Sequence, residues 1–479
     1  MSDVMVPIPF SRLLNWALEE YQNEGTIFGI PEEKFYYKKD QSAMQVFGER
    51  CETPLGPAAG PHTQVAQNIA AAYLTGGRFF ELKTVQIMDE LEIDKPCIDA
   101  ERETYNSEWS TELTVPQAYD EYIKAWFLLH LLNEIFGFSR LEERGFVFNI
   151  SVGYDLEGIQ SPKIDRFIEG LKDASSAPIF QECRRTLTRA VQAGNVPGVN
   201  STAFVEEISP EISHSVTLST MHGTPPEDQE AICNYLMAEK GLHTYVKLNP
   251  TLHGYEYVQE VFQQLGYDHI QLREDSFTHD MQYPDAVKML HNLLNQAESA
   301  DLEFGVKLSN TLAVVNDKGT LPCDEMYMSG RALYPLTVNL ARKLSEEFDG
   351  RLTISYSGGA DYFNIADLLR AGLKPITLAT YFLKPGGYSR MTQLAELLET
   401  ETDALERDTV DLEVLKQVAE DALSDPRYAF EGKSSAPMKT EDPLPLLDCF
   451  LAPCTAGCPI HQDIPEYIRL IREERYADA

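Results

Sequence analysis

Three cysteines crowd together near the end of the chain and are its most chemically distinctive residues. Cys449, Cys454 and Cys458 are separated by four and three residues, and Pro459 follows the last of them. Thiolates at this spacing on turning backbone can converge on one iron–sulfur cluster or serve neighbouring clusters. The same cysteines together with His461 could instead bind zinc through mixed sulfur and nitrogen ligation. Three cysteines do not complete a cubane, so further ligands must lie elsewhere.

A pair of glycines offers a different chemistry, the binding of an anion. Gly358 and Gly359 come directly after the short β-branched and aromatic run 352–356 and Ser357. Glycine N–H groups after the last strands of a barrel commonly cradle phosphate, although a tight turn between strand and helix would use the same residues. No G-x-G-x-x-G motif opens a strand–helix unit, so the sequence predicts no dinucleotide site in this chain.

Composition excludes several classes of function. The 479 residues include 40 basic and 75 acidic side chains, which give a formal net charge of −35. Such a charge repels nucleic acid and anionic lipid, so we expect neither as a partner. The apolar stretch 125–132 is far shorter than the roughly 20 residues of a membrane span, so no membrane insertion is expected. The opening residues 1–4 do not resemble a secretory signal, and most cysteines are scattered singly, which predicts a cytoplasmic location.

From about residue 54 to 390 the chain alternates short apolar runs with loops and amphipathic stretches, which predicts an α/β fold. The strand candidates are 57–59, 79–84, 146–152, 213–219, 244–248, 269–272, 304–308, 352–356 and 376–380. They exceed by one the number that a TIM-type (β/α)8 barrel needs. We therefore expect a barrel in which one of the runs near His269 and Phe304 is an insertion.

The predicted organisation places this barrel between two other regions. Long gaps after the second and third strands should carry extra helices or lid segments over the carboxyl-terminal face, where barrels place their active sites. The amphipathic stretch 467–479 has no terminating residue, so we expect the polypeptide to continue. The parts are a helical extension at 1–53, the barrel at 54–393 with insertions at 86–145 and 153–212, acidic helices and a linker at 394–447, and the cysteine-bearing segment 448–479.

The cysteine-bearing segment resembles a known electron-transfer domain. The run from Cys454 to Ile468 resembles the amino-terminal iron–sulfur domain shared by the glutamate synthase small subunit and dihydropyrimidine dehydrogenase. That domain usually reads C-x2-C-x4-C-x3-C-P, and Leu446 stands here where its first cysteine would be. The resemblance implies that 448–479 is the truncated start of a 4Fe-4S domain, with Cys449, Cys454 and Cys458 as an incomplete set of metal ligands.

The barrel region is similar to the dihydroorotate dehydrogenase-like FMN barrels. The runs 53–60 and 76–85 look like the opening two strands of those proteins, in which small residues let the isoalloxazine ring lie against the first strand and a lysine hydrogen-bonds the flavin. A cation near the ring stabilises the anionic reduced flavin, whereas tight packing is the other use of small residues at a strand end. The implied FMN contacts here are Ala58, Ala59, Gly60, Lys83 and Thr84.

Motifs further along the chain keep the same order as in that family. Lys247 looks like the lysine of the family's fifth strand, although Lys307 has the same surroundings in sequence and both cannot fill one place. The Asn-Thr pair at 310–311, the Ser-Gly turn within 328–335 and the runs 354–361 and 378–381 resemble the family's last three strands and their loops. The further contacts implied are Lys247, Asn310, Ser329, Gly330, Gly358, Gly359 and Thr380.

Departures from the family concern the substrate and the proton donor. Dihydropyrimidine dehydrogenase holds its pyrimidine with several asparagines, but Ser110 and Thr217 stand at two matching positions and only Asn310 remains. The family's proton donor is a cysteine or serine on the loop after strand four, and 223–230 contains neither. His222 and Thr224 are the candidate catalytic residues, with Glu227 as an alternative, and nothing in the sequence selects one.

Over nearly its whole length, the chain most closely resembles the selenate reductase subunit family. In such proteins FAD- and NAD(P)H-binding modules come after the cysteines. The resemblance implies an oxidoreductase whose electrons pass from NAD(P)H through FAD and 4Fe-4S clusters of a missing carboxyl-terminal part to a flavin barrel. The barrel would reduce a small substrate, selenate or a heterocycle, and its partners would be redox domains or subunits.

Two hypotheses from other classes stand beside this one. A barrel that has lost its cofactor could serve as a structural or docking module for the electron-transfer domains, since the expected acid and binding residues are missing. A zinc-dependent hydrolase could use His222, His243 or His253, but these histidines show no H-E-x-x-H or comparable ligand spacing.

Overall fold

Eight short parallel strands form the centre of the computed structural model, which describes residues 5–88, 94–100, 103–107, 113–220, 222–317, 319–430, 462–476 and 478–479. Their side chains are almost entirely buried, as expected of parallel strands covered on both faces. The strands are β1 Leu55–Pro57, β2 Phe79–Glu81, β3 Val147–Val152, β4 Ser215–Leu218, β5 His243–Leu248, β6 Phe304–Leu308, β7 Thr353–Tyr356 and β8 Ile376–Leu378.

These strands are hydrogen-bonded in the order β1-β8-β7-β6-β5-β4-β3-β2. The two edges, β1 and β2, meet where the Arg78 N–H donates to the Leu55 carbonyl at 2.8 Å. Gly56 permits this approach, because a Cβ there would lie 1.5 Å from the Phe79 carbonyl oxygen. The predicted (β/α)8 barrel is confirmed, and the surplus run at 269–272 is the insertion. Within it, Leu272 forms only an isolated bridge to Val314.

The helices cover the outside of the barrel and fill the insertions. Most of them present an apolar stripe to the strands and a polar face to water. Their bounds are Phe10–Glu24, Ala66–Leu74, Val115–Phe136, Leu156–Ile159, Pro162–Lys172, Pro178–Gln192, Ala203–Glu207, Pro226–Asn234, Tyr255–Gln264, Glu274–His279, Tyr283–Ala300, Tyr334–Glu347, Ile365–Arg370, Arg390–Leu398, Thr402–Glu406, Leu412–Ala422 and Ile464–Arg472.

The longest helix, Val115–Phe136, is the centre of the insertion after β2. The Thr114 hydroxyl accepts a hydrogen bond from the Gln117 N–H at its start, and Gly137 ends it with a left-handed φ of 65°. The helix is almost entirely buried over the apolar stretch 125–132. Helices of 153–212 pack against it and against Phe10–Glu24 on the outer wall. Of the residues 153–212, all of which the structure describes, none lines the large cavity at the mouth of the barrel.

The two ends of the barrel are closed differently. At the amino-terminal end, the hairpin of Met44–Val46 and Glu49–Cys51 places Phe47 against Tyr245, with ring centroids 4.6 Å apart. At the carboxyl-terminal end an antiparallel sheet, which we call the cap sheet, lies over the mouth. Its strands, in hydrogen-bonded order, are Leu312–Val315, Glu325–Ser329, Thr104–Asn106 and Ile98–Asp99.

In the acidic region after the barrel, the described residues form helices, of which Leu412–Ala422 packs against helix Tyr334–Glu347. Asn339 Nδ2 on helix Tyr334–Glu347 donates to the carbonyls of Pro335 and Ala419, both at 2.9 Å, and so ties that helix to Leu412–Ala422. Among the described residues, no helix has both the length and the apolar character that crossing a bilayer would require.

Candidate functional site

A cavity of about 500 Å³ opens at the carboxyl ends of the strands beneath the cap sheet. Its volume lies within the usual range for small-molecule and cofactor pockets. Loops after most of the strands contribute to its wall, and the cap sheet supplies Asn106 and Tyr327. The sequence-derived cofactor candidates all line this one cavity, namely Ala58, Ala59, Gly60, Lys83, Thr84, Lys247, Asn310, Ser329, Gly330, Gly358, Gly359 and Thr380.

The two lysines that the sequence could not tell apart have different places. Lys247 lies on β5 and Lys307 on β6, paired in register, so both side chains point into the barrel. Lys247 reaches the cavity wall. Lys307 is fully buried below it, with its ammonium 3.0 Å from Glu81 Oε2. Of the two lysines, Lys247 is therefore the one that lies on the fifth strand and at the cavity.

Polar groups from neighbouring strands surround the Glu81–Lys307 ion pair. Lys307 also donates to Thr377 and, at 3.2 Å, to Ser355, while the Thr377 hydroxyl donates to Glu81 at 3.1 Å. Burial disfavours the charged carboxylate, but the positive charges of Lys307 and Lys247 outweigh it, so the pKa of Glu81 lies below its ordinary value. A fixed carboxylate thus stands directly below the cavity floor.

Lys83 and Lys247 face the cavity without a protein partner. Neither ammonium donates to any side chain or carbonyl of the described residues. Burial, and then the charge of Lys247, lower the pKa of Lys83 to about 8; burial also lowers the pKa of Lys247, against the attraction of Glu81. Desolvated cations without a hydrogen-bond or ion-pair contact suggest an anionic or strongly hydrogen-bonding occupant.

The rim of the cavity is also basic. Arg331, Lys384 and Arg390 line it, and among the described residues the only carboxylate on the lining is Asp361. Arg390 is held in place by the Tyr381 ring, 3.6 Å from its guanidinium, and by the Tyr381 carbonyl. In a chain of net charge −35 this local excess of positive charge focuses anions into the cavity.

The loop after β7 exposes unpaired backbone donors. The N–H groups of Gly358 and Gly359 donate to no described residue. Gly359 has φ of 75°, and a Cβ there would lie 2.6 Å from the Gly330 carbonyl oxygen. Close approach of the loops after β6 and β7 therefore requires this glycine, while its N–H remains available to an anion.

We expect Gly358→Ala to destabilise the fold by about 2 kcal/mol or more, because overpacking of a tight contact strains the backbone. Its Cβ would lie 2.1 Å from Thr337 Oγ1 and 2.6 Å from Thr337 Cβ. Thermal unfolding followed by circular dichroism measures the effect. Gly25→Ala is the matched control, since its Cβ meets nothing within 4 Å and only its left-handed φ of 69° is strained. Equal melting temperatures for the two variants would contradict this contact.

His62 adds an unsatisfied polar atom to the same wall. Burial lowers the pKa of His62 to about 4, so the ring is neutral at pH 7. Its Nε2 is buried and has no hydrogen-bond partner among the described residues. Buried polar atoms are normally paired, so an occupant of the cavity is the natural partner for this nitrogen.

The two catalytic candidates are separated by the structure. His222 lies on the cavity wall, where its ring approaches Tyr327 with centroids 5.4 Å apart. Thr224 lines a small neighbouring pocket of about 10 Å³ instead. Glu227 is exposed in the first turn of helix Pro226–Asn234.

The hypothesis of a zinc-dependent hydrolase finds no support in the described residues. His243 accepts a hydrogen bond from the Glu303 N–H, and His253 Nε2 lies 2.8 Å from the Leu336 carbonyl, so each has a structural partner. Within the described ranges, no three His, Cys, Asp or Glu side chains are grouped as a metal site. Cys449, Cys454, Cys458 and Ser110 lie outside the described residues.

Several residues of the site were not predicted from sequence. Asp280, Tyr327 and Arg390 come from the insertion before β6, the cap sheet and the segment after β8. Nothing local marks them, because each reaches the site only through long-range packing. Glu81 could have been found, since a carboxylate adjoins two apolar residues inside a buried strand.

Fold and cavity together define an enzyme-like TIM barrel with an open cavity at its carboxyl-terminal face. The model of the family "Oxidoreductase YgfK, N-terminal TIM-barrel domain" matches residues 28–430, and the chain belongs to this oxidoreductase family.

Curated relatives of the chain carry the same name. It is 51% identical over 487 aligned positions to "Putative oxidoreductase YgfK" of Escherichia coli K12 and, equally, to the protein of that name from strain O157:H7. Each alignment covers 100% of this chain and 47% of the relative, so the chain spans about half the length of the relatives it matches.

Solved structures similar to the chain include two of DHODH from Eimeria tenella. The complex with ferulenol is 14% identical, with a TM-score of 0.48, and the match covers 78% of this chain and 89% of that one. The ligand-free form is 14% identical, with a TM-score of 0.49, and the match covers 84% and 98%.

Proposed function

We propose that this chain is the FMN-binding barrel of an oxidoreductase that reduces a small anionic or heterocyclic substrate. One observation carries the proposal: unpartnered lysines, an unpartnered histidine nitrogen and free glycine N–H groups of the described residues converge on one cavity in a barrel of an oxidoreductase family. A bound flavin would supply the electron pair for such a reduction.

The residues present fit FMN. Lys83 and Lys247 would stabilise negative charge on the flavin ring, and the small residues Ala58 and Ala59 leave room for it beside β1. The N–H groups of Gly358 and Gly359 would bind the phosphate, as glycine-rich barrel loops do elsewhere. The competing hypothesis of a cofactor-free docking module predicts that side chains fill the mouth of the barrel, whereas the mouth of this barrel holds a cavity of about 500 Å³.

The source of the electrons belongs to the same proposal. NAD(P)H, FAD and 4Fe-4S clusters of a following part of the protein would deliver them, with Cys449, Cys454 and Cys458 contributing cluster ligands. Iron and acid-labile sulfide measured on the anaerobically purified chain test this step. A Cys454→Ser variant that holds as much iron as the parent would count against these cysteines as ligands.

Flavin binding is the direct test of the barrel. We expect the purified chain to release FMN on acid treatment, or to bind added FMN with a Kd near or below about 1 µM in calorimetry. Riboflavin, which lacks the phosphate, should bind at least about tenfold more weakly if Gly358 and Gly359 hold that group. A chain that takes up neither FMN nor FAD would overturn the proposal.

The substrate is tested on the flavin-loaded chain. After anaerobic reduction by light and EDTA, the protein is mixed with sodium selenate or with uracil, and the return of the oxidised flavin bands is followed. We expect one of these acceptors to reoxidise the protein. Failure of both would exclude these two substrates while leaving flavin binding to its own test.

FMN affinity should fall as pH rises above about 8. The pKa of Lys83 is lowered to about 8, so above that pH the ligand must recruit a proton to Lys83 before it can use that charge. Linkage then weakens binding by up to about tenfold per pH unit. Calorimetry from pH 7 to 9.5 measures the slope. Lys83→Met should reduce this slope. Lys288→Met, at an exposed helix position, should leave the slope unchanged. An FMN affinity that does not depend on pH would contradict the role of Lys83.

A further inference from the structure

The loop after β4 places an imidazole on the cavity wall with a buried carboxylate behind it. His222 Nδ1 lies 3.1 Å from Asp280 Oδ2, and the side chains are 19% and 3% exposed, respectively. The two residues are far apart in sequence, since Asp280 comes between helices Glu274–His279 and Tyr283–Ala300. Long-range packing has therefore built a histidine–carboxylate pair whose imidazole is on the cavity side.

The carboxylate is held by several donors besides the histidine. Asp280 accepts hydrogen bonds from the Gly223 N–H at 2.6 Å, the Thr251 hydroxyl at 2.7 Å and Asn249 Nδ2 at 3.0 Å. Burial opposes its ionisation, but the hydrogen bonds and the nearby His222 prevail and lower the pKa of Asp280. Its orientation and its negative charge are thus fixed before any ligand binds.

This arrangement decides which ring nitrogen carries the proton. Asn249 Nδ2 also lies 3.2 Å from His222 Nδ1, but the Asp280 carboxylate can only accept. An unprotonated Nδ1 would set two lone pairs against each other at 3.1 Å, whereas Nδ1–H donates to Asp280. The proton therefore belongs on Nδ1, and in the neutral ring Nε2 carries the lone pair.

The remaining nitrogen is free to act. No described residue hydrogen-bonds to His222 Nε2, and the ring lines the cavity together with Lys247 and Asn310. Among the described residues, the ring is in contact with the titratable groups Asp280 and Tyr327 of the cap sheet, and Lys247 on β5 lines the same cavity. A nitrogen that can gain or lose a proton therefore faces the space in which a substrate would sit.

We propose that His222 is the acid–base residue of this cavity and that Asp280 is its positioning residue. The inference rests on the proposed function, which names a reduced flavin as the source of electrons. His222 first takes a proton from solvent on Nε2, which gives the imidazolium with Nδ1–H still donated to Asp280. When the substrate accepts an electron pair from the reduced flavin, the Nε2–H bond of this imidazolium breaks and a bond from hydrogen to the substrate forms. His222 is left as a neutral imidazole with Nδ1–H donated to Asp280, and it regains a proton from water.

The tautomer is tested without any flavin or substrate. In the full chain labelled with ¹⁵N-histidine and recorded at alkaline pH, where the ring is neutral, we expect the nitrogen resonances of the tautomer protonated on Nδ1, with that proton protected from exchange with water. The signals should vanish in His222→Gln, which assigns them, and lose their protection in Asp280→Asn. Resonances showing the proton on Nε2 would overturn the proposal.

Proton transfer is tested on the flavin-loaded, light-reduced chain. His222→Gln should slow reoxidation by selenate or uracil about 10²–10⁴-fold, the usual contribution of general acid catalysis. Reoxidation of this variant by ferricyanide, which takes electrons without a proton, should keep its rate. In the control His214→Gln, at a histidine whose side chain is 40% exposed, both reactions should keep their rates. In Asp280→Asn the pH profile of reoxidation by selenate or uracil should shift to lower pH, while FMN binding is retained.

The two readouts separate this inference from the proposed function. An unchanged rate with selenate or uracil in His222→Gln would overturn the acid–base role although the barrel is an oxidoreductase. If neither acceptor reacts, the substrate of the proposed function fails, and the tautomer measurement still decides the state of His222.

Discussion

Lys307→Met should lower the free energy of unfolding by about 3–5 kcal/mol, because it breaks a buried ion pair. The substitution removes the ion-pair partner of Glu81 inside the barrel, where the Glu81 side chain is 2% exposed and only the more distant charge of Lys247 remains. Glu81 Oε1 already lacks a hydrogen-bond partner among the described residues, so the carboxylate depends on the donors to its other oxygen, of which Lys307 is the charged one. Thermal unfolding of the ligand-free chain, with urea unfolding as a second measurement, reports the loss.

Two further variants show whether the loss comes from the broken ion pair. The double variant Glu81→Gln with Lys307→Met removes both charges and should recover most of the stability, since neutral replacement of a buried pair is often tolerated. Arg342→Met breaks the surface ion pairs with Glu346 and Glu420 and should cost less than about 1 kcal/mol. If Lys307→Met has the same melting temperature as the parent protein, the ion pair with Lys307 does not stabilise the buried charge of Glu81.

The barrel was predictable because its strands are short apolar runs separated by helical stretches, and such runs are recognisable without tertiary information. The run at 269–272 is the exception. Its alternating pattern is strand-like, yet in the structure Leu272 only bridges to Val314 beside the cap sheet. An alternation of apolar and polar residues cannot distinguish a barrel strand from a short segment that pairs outside the barrel.

The gap after the second strand predicted a lid segment over the mouth, but the strands of the cap sheet could not be read from the sequence, for a related reason. Its strands Ile98–Asp99 and Thr104–Asn106 are too short to show a pattern, and Thr104–Asn106 pairs with Glu325–Ser329, more than two hundred residues away. Pairing of this kind is decided by how the insertions fold over the barrel mouth. Tyr327, which covers His222, enters the site only by this route.

The candidate site divides in the same way. Residues at strand ends, such as Lys83 and Gly359, could be proposed from sequence because strand order brings carboxyl ends to one face. Which cations are paired could not be read from the sequence. Lys247 and Lys307 have similar neighbours, and only the position of Glu81 on β2 separates a cavity lysine from a structural one.

Lys83→Met should weaken FMN binding and yet stabilise the ligand-free chain, because the charge that would serve the ligand is unfavourable in the empty fold. Loss of a hydrogen bond from a charged donor weakens binding by about 1.5–3 kcal/mol, or roughly 10–150-fold in Kd. In the empty cavity, however, Lys83 is a buried cation beside Lys247, and its pKa has fallen from 10.5 to about 8. A shift of that size corresponds to a penalty on the order of 3 kcal/mol at neutral pH, which methionine does not incur.

Calorimetry with FMN and thermal unfolding of the ligand-free protein measure the two effects on the same samples. Lys247→Met should weaken binding as well, but it also removes a positive charge that stabilises ionised Glu81, so its gain in stability should be smaller. Lys288→Met at an exposed position should change neither quantity. If Lys83→Met lost affinity and stability together, Lys83 would be a structural residue. Weaker FMN binding together with a higher melting temperature would identify Lys83 as a cation that destabilises the ligand-free fold and serves to bind a ligand.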